Sequence, residues 1–87
     1  MTEAEILERV RAFIVETYLY ARPDATVGAD DALLGTGIID SLGVMELVAF
    51  LERTFGLPVA PEEITEQHFA TLGAIARFVG AKRGAGG

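Results

Sequence analysis

The chain has no cysteine and no tryptophan, and its 87 residues include one histidine and one serine. Without cysteine there is no disulfide, no thiolate metal site and no thiol nucleophile, so stability must come from packing. The same absence fits a reducing compartment. Basic residues are few: 7 Lys and Arg stand against 13 Asp and Glu, for a formal charge of −6. Nucleic-acid binding needs clustered cations for phosphate contacts, and these are scattered, so that class is set aside. Long apolar runs are missing too. The longest, Val44 to Leu51, is broken by Glu46 and is far too short to span a bilayer. The N-terminus opens with Glu3, Glu5 and Glu8, unlike a signal peptide. A soluble, cytoplasmic, monomeric single domain is expected, in contact with neither membrane nor nucleic acid. At this size folding buries roughly 60–65% of the unfolded surface, enough for one helical core and too little for a roomy enclosed site. The acidity has two readings: it keeps a small domain soluble, or it helps docking on basic patches of protein partners.

Helical periodicity is what the chain does contain. Thr2-Glu3-Ala4-Glu5 reads as a capping box, and Ile6, Leu7, Val10, Phe13, Ile14 and Tyr18 then recur at helical spacing. This helix is expected to end near Leu19, before Arg22-Pro23. Residues 20–40 read as a long loop that needs anchors, for which Val27, Leu33, Leu34, Ile38 and Ile39 are available, with a short turn at Asp30-Asp31-Ala32-Leu33. A second helix is expected from about Ser41 to Phe55, stopped by Gly56 in the left-handed conformation. A short third helix is expected to begin at Pro61-Glu62-Glu63-Ile64, where Pro suits the first helical position. Thr71 can cap a last helix with Leu72, Ile75, Phe78 and Val79 facing inward and Lys82 and Arg83 near its negative end. Residues 1–83 form the expected domain, and Gly84-Ala85-Gly86-Gly87 a flexible tail. The fold class is all-α, and no strand pattern or repeat is visible.

The second helix carries two apolar stripes. Val44, Leu47, Val48, Leu51 and Phe55 make an ordinary core stripe, while Leu42, Met45 and Ala49 make another. Either the helix is covered on nearly all sides, with Met45 filling a core gap, or the second stripe is exposed for a partner. That stripe starts one residue after Ser41. Asp40 and Ser41 are both favoured cap residues, so the pair can be a plain helix start, although two caps are redundant for one helix end. Gly43 in the first turn costs about 1 kcal/mol relative to Ala, which a close approach by another backbone would explain.

Other constellations are poor. Gly35-Thr36-Gly37 lacks the third glycine and preceding strand of a dinucleotide site. His68 is far from Ser41 in sequence, and a small serine hydrolase would also need an oxyanion hole and a pocket. Asp30 and Asp31 do not supply a metal-ligand set. No catalytic residue is assigned.

The stretch Leu33-Leu34-Gly35-Thr36-Gly37-Ile38-Ile39-Asp40-Ser41-Leu42 has recognisable continuations. These are Glu46-Leu47-Val48, Leu51-Glu52, Phe55-Gly56, Pro61-Glu62-Glu63-Ile64 and Thr71-Leu72. Together they resemble the acyl carrier and peptidyl carrier protein family over about residues 5 to 80. The resemblance implies an up-and-down four-helix bundle, three helices long and the third short. It implies a 4′-phosphopantetheine arm, transferred from coenzyme A to the Ser41 hydroxyl as a phosphodiester, with Asp40 and Leu42 completing the attachment motif. It implies no catalysis by the chain itself, a thioester cargo on the arm, and three kinds of partner: a phosphopantetheinyl transferase, an acyl- or aminoacyl-loading ligase, and downstream synthases or transferases. Leu42, Met45, Glu46 and Ala49 are the residues expected to meet them. Fatty-acid members of the family typically carry an acid after Asp-Ser-Leu and a strongly acidic second helix. Gly43 in that position and the apolar Met45, Ala49 and Phe50 look more like stand-alone carriers of secondary metabolism. A helical interaction module that kept the fold but is never modified is the alternative.

Overall fold

The computed structural model describes residues 2–19, 27–34 and 39–85. The expected Arg22-Pro23 stop, Ile38 and the Gly35-Thr36-Gly37 stretch lie outside them. The helix α1, Glu3–Tyr18, opens with a full capping box: the Glu5 amide donates to Thr2 Oγ1 at 3.2 Å, and the Thr2 amide donates back to Glu5 Oε1 at 3.1 Å. The bond from the Thr2 amide is the main reason the Glu5 carboxyl sits below its ordinary pKa. α1 buries Ile6, Val10 and Ile14, the stripe that the spacing marks out. α2, Ser41–Phe55, ends at Gly56 with φ 65° and ψ 32°, a left-handed cap that glycine adopts without steric cost. The last helix, designated α4, is Leu72–Ala85, and its first turn is capped by Thr71 Oγ1 accepting from the Ala74 amide at 3.0 Å. Its helical backbone continues into the glycine-rich segment expected as a tail. Gly86 and Gly87 lie outside the described residues.

The third helix differs from the expectation. Pro61–Glu63 forms only a 3-10 turn, and the short helix α3 is Glu66–Phe69. Ile64, at φ −83° and ψ 80°, leaves helical space between them. Thr65 then starts afresh as a cap, its side chain accepting from the His68 amide at 3.3 Å. The favourable first-turn pattern at Pro61 is thus spent on one turn.

α1 packs along α4, and α3 against α4. The core runs through Ile6, Val10, Ile14, Leu33, Leu47, Leu51, Phe69, Leu72, Ile75 and Val79, each at most 1% exposed. The long connection before α2 is anchored as its length requires. Val27, Leu33 and Ile39 are buried, Arg11 Nε donates to the Val27 carbonyl at 2.8 Å, and the Leu33 and Gly73 amides donate to Ala70 and Ala29 carbonyls. Its turn lies two residues earlier than expected, at Gly28–Asp31. There the Asp31 carboxylate reaches back to the Gly28 amide at 2.7 Å and the Asp31 amide reaches the Gly28 carbonyl. Among the described residues there is no strand, only an isolated bridge between Leu34 and Ile39. Nor, among them, is any helix long and apolar enough to cross a membrane.

Candidate functional site

The N-terminus of α2 resolves the double cap. Asp40 holds an extended backbone, its carboxylate accepts from the Gly43 amide at 2.7 Å, and its carbonyl accepts from the Val44 amide at 2.9 Å. Asp40 is therefore the cap, and Ser41, one residue on, is the first helical residue. The Ser41 side chain is not used to start the helix, and the residue is exposed. As in any helix, the first-turn amides of Ser41 and Leu42 have no intrahelical acceptor and point along the positive end of the dipole. The result is an accessible hydroxyl at an electropositive backbone end, on a rigid 15-residue helix.

Gly43 explains why that end is rigid. It is buried, and a Cβ built on it would lie 2.9 Å from Ile39 Cγ2 and 3.3 Å from the Tyr18 hydroxyl. A close approach does account for the glycine, but the side chains of Ile39, Asp40 and Tyr18 make it, not another backbone. The Tyr18 hydroxyl donates to the Gly43 carbonyl at 3.0 Å and so pins the first turn of α2 to the end of α1. Burial, then the Glu46 and Asp40 carboxylates, push the Tyr18 pKa up, which keeps the hydroxyl neutral and donating. Tyr18 is a supporting residue that the sequence reading placed only on a core stripe. Its helical spacing was visible, but a partner 25 residues away was not. Phe13 lies edge-on to Tyr18 and stacks on Phe50 at 4.2 Å, which strengthens the same junction.

The two stripes of α2 separate cleanly. Leu47 and Leu51 are fully buried, with Val48 and Phe55 nearly so. Leu42 is 71% and Met45 54% exposed, and these two are the exposed large hydrophobics of the described residues. Ala49 and Glu46 are exposed beside them. Two positions depart from expectation. Val44, assigned to the core, is only half-buried because it lines a groove, and Phe50, counted on the apolar surface, is half-buried under Phe13.

That groove is open, has a volume of about 600 Å³, and begins at Ser41. Leu34, Val44, Met45 and Ile64 make it apolar, and Thr65 and Glu66 stand on the wall facing α2. Met45 therefore belongs both to the exposed stripe and to the groove. His68 is committed elsewhere. Its Nδ1 lies 2.8 Å from the Glu63 carbonyl, which can only accept, so that nitrogen carries the proton. The ring stacks on Phe78 at 4.5 Å. This histidine has a structural task, and a serine–histidine pair is not what the fold assembles around it.

Against known proteins, the chain matches a family model described as phosphopantetheine attachment site over residues 8–79. Among solved structures it is similar to a holo acyl carrier protein from Nitrosomonas europaea, determined by solution NMR. The two share 34% sequence identity and a TM-score of 0.75, over 90% of this chain and 95% of that one. No curated protein sequence matches.

Proposed function

The chain belongs to the phosphopantetheine attachment-site family and is a carrier rather than a catalyst, and from that premise we propose that Ser41 is the residue that takes the 4′-phosphopantetheine arm. The observation that carries the proposal is the division of labour at the start of α2. Asp40 caps the helix, so the exposed Ser41 hydroxyl is left over.

The residues fit the group. A phosphate ester on Ser41 would meet the free amides of the first turn, which favour an anion there. Tyr18 and the buried Gly43 hold that turn in place, so the attachment point does not move with the arm. Leu42 projects beside it as an apolar neighbour. When attached, the arm supplies a terminal thiol that holds a cargo as a thioester. The groove starting at Ser41 offers that cargo an apolar surface, and tethering raises the cargo's effective concentration at each partner's site.

The finer reading follows from α2. Leu42, Met45 and Ala49, with Glu46 at their edge, form the face read by a coenzyme A-dependent phosphopantetheinyl transferase, by an acyl- or aminoacyl-loading ligase and by downstream synthases or transferases. This mainly apolar face supports a carrier of secondary metabolism. Screened charge pairs at the surface contribute only about 0–1 kcal/mol each, whereas apolar contact at about 25 cal/mol per Å² is not screened. Partner affinity is therefore expected to depend only modestly on salt and to suffer badly from Met45→Glu.

The test is intact-mass spectrometry after incubation with coenzyme A, magnesium and a broad-specificity transferase. The wild type should gain one arm. Ser41→Ala should gain none while keeping its helical circular dichroism. A wild type that several transferases leave unchanged would make the chain an unmodified interaction module.

A further inference from the structure

The wall of the groove opposite α2 is formed by Ile64, Thr65 and Glu66, and little in its own sequence should hold it still. The 3-10 turn Pro61–Glu63 has no buried residue, and α3 is one turn long, far below the length at which a helix sustains itself. The buried apolar anchors of residues 57–71 nearest that wall are Val59 on one side and Phe69 on the other, while Ile64 within it packs against the core only in part. Between them the polar contacts converge on one residue. The Glu63 carboxylate accepts from Lys82 Nζ at 2.7 and 2.9 Å and from the Ala60 amide at 2.8 Å. Its carbonyl accepts from His68 Nδ1 at 2.8 Å and from the Thr65 amide at 3.0 Å.

On the α4 side the same cluster is built from two residues one turn apart. The Phe78 ring carries His68 on its face, and Lys82 Nζ lies 5.6 Å from its centre. The Lys82 and Glu63 side chains are 23% and 29% exposed, so the pair is better shielded than an ordinary surface ion pair. Lys82 also sits in the last turn of α4, where the helix dipole favours a cation.

We propose that Lys82 and Glu63 form a latch that fixes the outer wall of the groove beside Ser41, which makes Lys82 a positioning residue for whatever the groove shelters. The latch deepens the carrier reading, because sheltering matters only if Ser41 bears an arm. Fastened to α4, the segment keeps Ile64 facing Val44 and Met45 across the groove. Released, it keeps Val59 and Phe69 in the core while the residues between them move, so the groove widens and water reaches a thioester lying in it.

The experiment has two arms. The first uses unmodified protein and follows backbone amide exchange in the wild type, Lys82→Met, Glu63→Gln and the double variant Glu63→Lys/Lys82→Glu. Lys82→Met keeps the stem over Phe78 and removes only the charge. Both single variants should speed exchange over residues 63–69 by roughly threefold or more while α1 and α2 stay protected, and the charge swap should restore much of the protection. Unchanged exchange in both single variants overturns the latch, as does faster exchange spread over the whole chain. The second arm loads a hexanoyl thioester on protein whose mass shows the arm and measures its hydrolysis. Both single variants should shorten the thioester lifetime and the swap should lengthen it again. Faster exchange with an unchanged lifetime would reduce Lys82 to a structural contact and overturn its positioning role. If no arm attaches, the Ser41 reading falls, and the exchange pattern still decides the latch.

Discussion

The groove beside Ser41 has two walls that differ in how much apolar burial holds them. α2 is a 15-residue helix held by a buried stripe of Leu47, Val48, Leu51 and Phe55, capped at both ends by Asp40 and Gly56 and braced by Tyr18. The wall across from it is a 3-10 turn and a four-residue helix, anchored in the core by Phe69 and in part by Ile64, and otherwise held by hydrogen bonds and one ion pair centred on Glu63. Apolar burial fixes an element in one place and is insensitive to pH and salt. A polar cluster fixes it more weakly and responds to both. A carrier has use for both kinds of wall. On the reading proposed above, Ser41 is presented in one orientation to successive enzymes, while the groove proposed to shelter the cargo is able to open.

This contrast can be broken at several points. The largest effect belongs to the buried side of α2. Leu51→Ala should lose about 2–5 kcal/mol of stability by leaving a cavity in the core, read from denaturant unfolding. Met45→Ala, six residues away on the exposed face, should cost less than about 0.5 kcal/mol yet weaken loading by a partner enzyme. Equal losses of stability from the two would mean that both stripes are core.

A smaller effect is expected at the brace. Tyr18→Phe removes one hydrogen bond to the Gly43 carbonyl and keeps the packing, for a loss of about 0.5–1.5 kcal/mol. Its signature is local. Amide exchange should quicken in the first turn of α2 and not at Leu51. Uniform loosening of the helix would show that the hydroxyl is not what pins that turn.

The smallest effect should come from acid. The Lys82 bonds, and after them the Ala60 amide, hold the Glu63 carboxyl below its ordinary value of 4.5. Its contribution is therefore complete above about 4.5 and is lost as pH falls through the lower folded value. The Ala60 amide and the Lys82 side chain, which bond the Glu63 carboxylate, should show NMR shifts in that acid window in the wild type that are much smaller in Glu63→Gln. The buried face of α2, which holds no titratable group, should not follow them.

The same division governs what the sequence could disclose. α1, α2 and α4 were legible because each combines a helical apolar period with a cap that acts within a few residues: Thr2 with Glu5, Asp40 with Gly43, Thr71 with Ala74. The second stripe of Leu42, Met45 and Ala49 was legible from its spacing, which left open whether it was core or surface, and the exposure of Leu42 and Met45 decides for surface. The third helix was misplaced because Pro61-Glu62-Glu63 is a good helix start locally, while the Glu63 side chain is spent on Lys82, 19 residues away. Tyr18 was missed for the same reason. Its partner is a backbone carbonyl on another helix, and nothing in the spacing of α1 points to it. The candidate attachment residue stood out through its motif. The groove, which needs Leu34, Val44 and Ile64 brought together from separate segments, did not.

Fragmentation of the modified, digested protein by tandem mass spectrometry locates the arm residue by residue, and so tests most directly whether the hydroxyl left over by the Asp40 cap is the one used. The expected result is a single arm on the peptide that contains Ser41, with every threonine and tyrosine unmodified. An arm found on any other residue, or a bare Ser41 peptide from protein that has gained the mass, would contradict it.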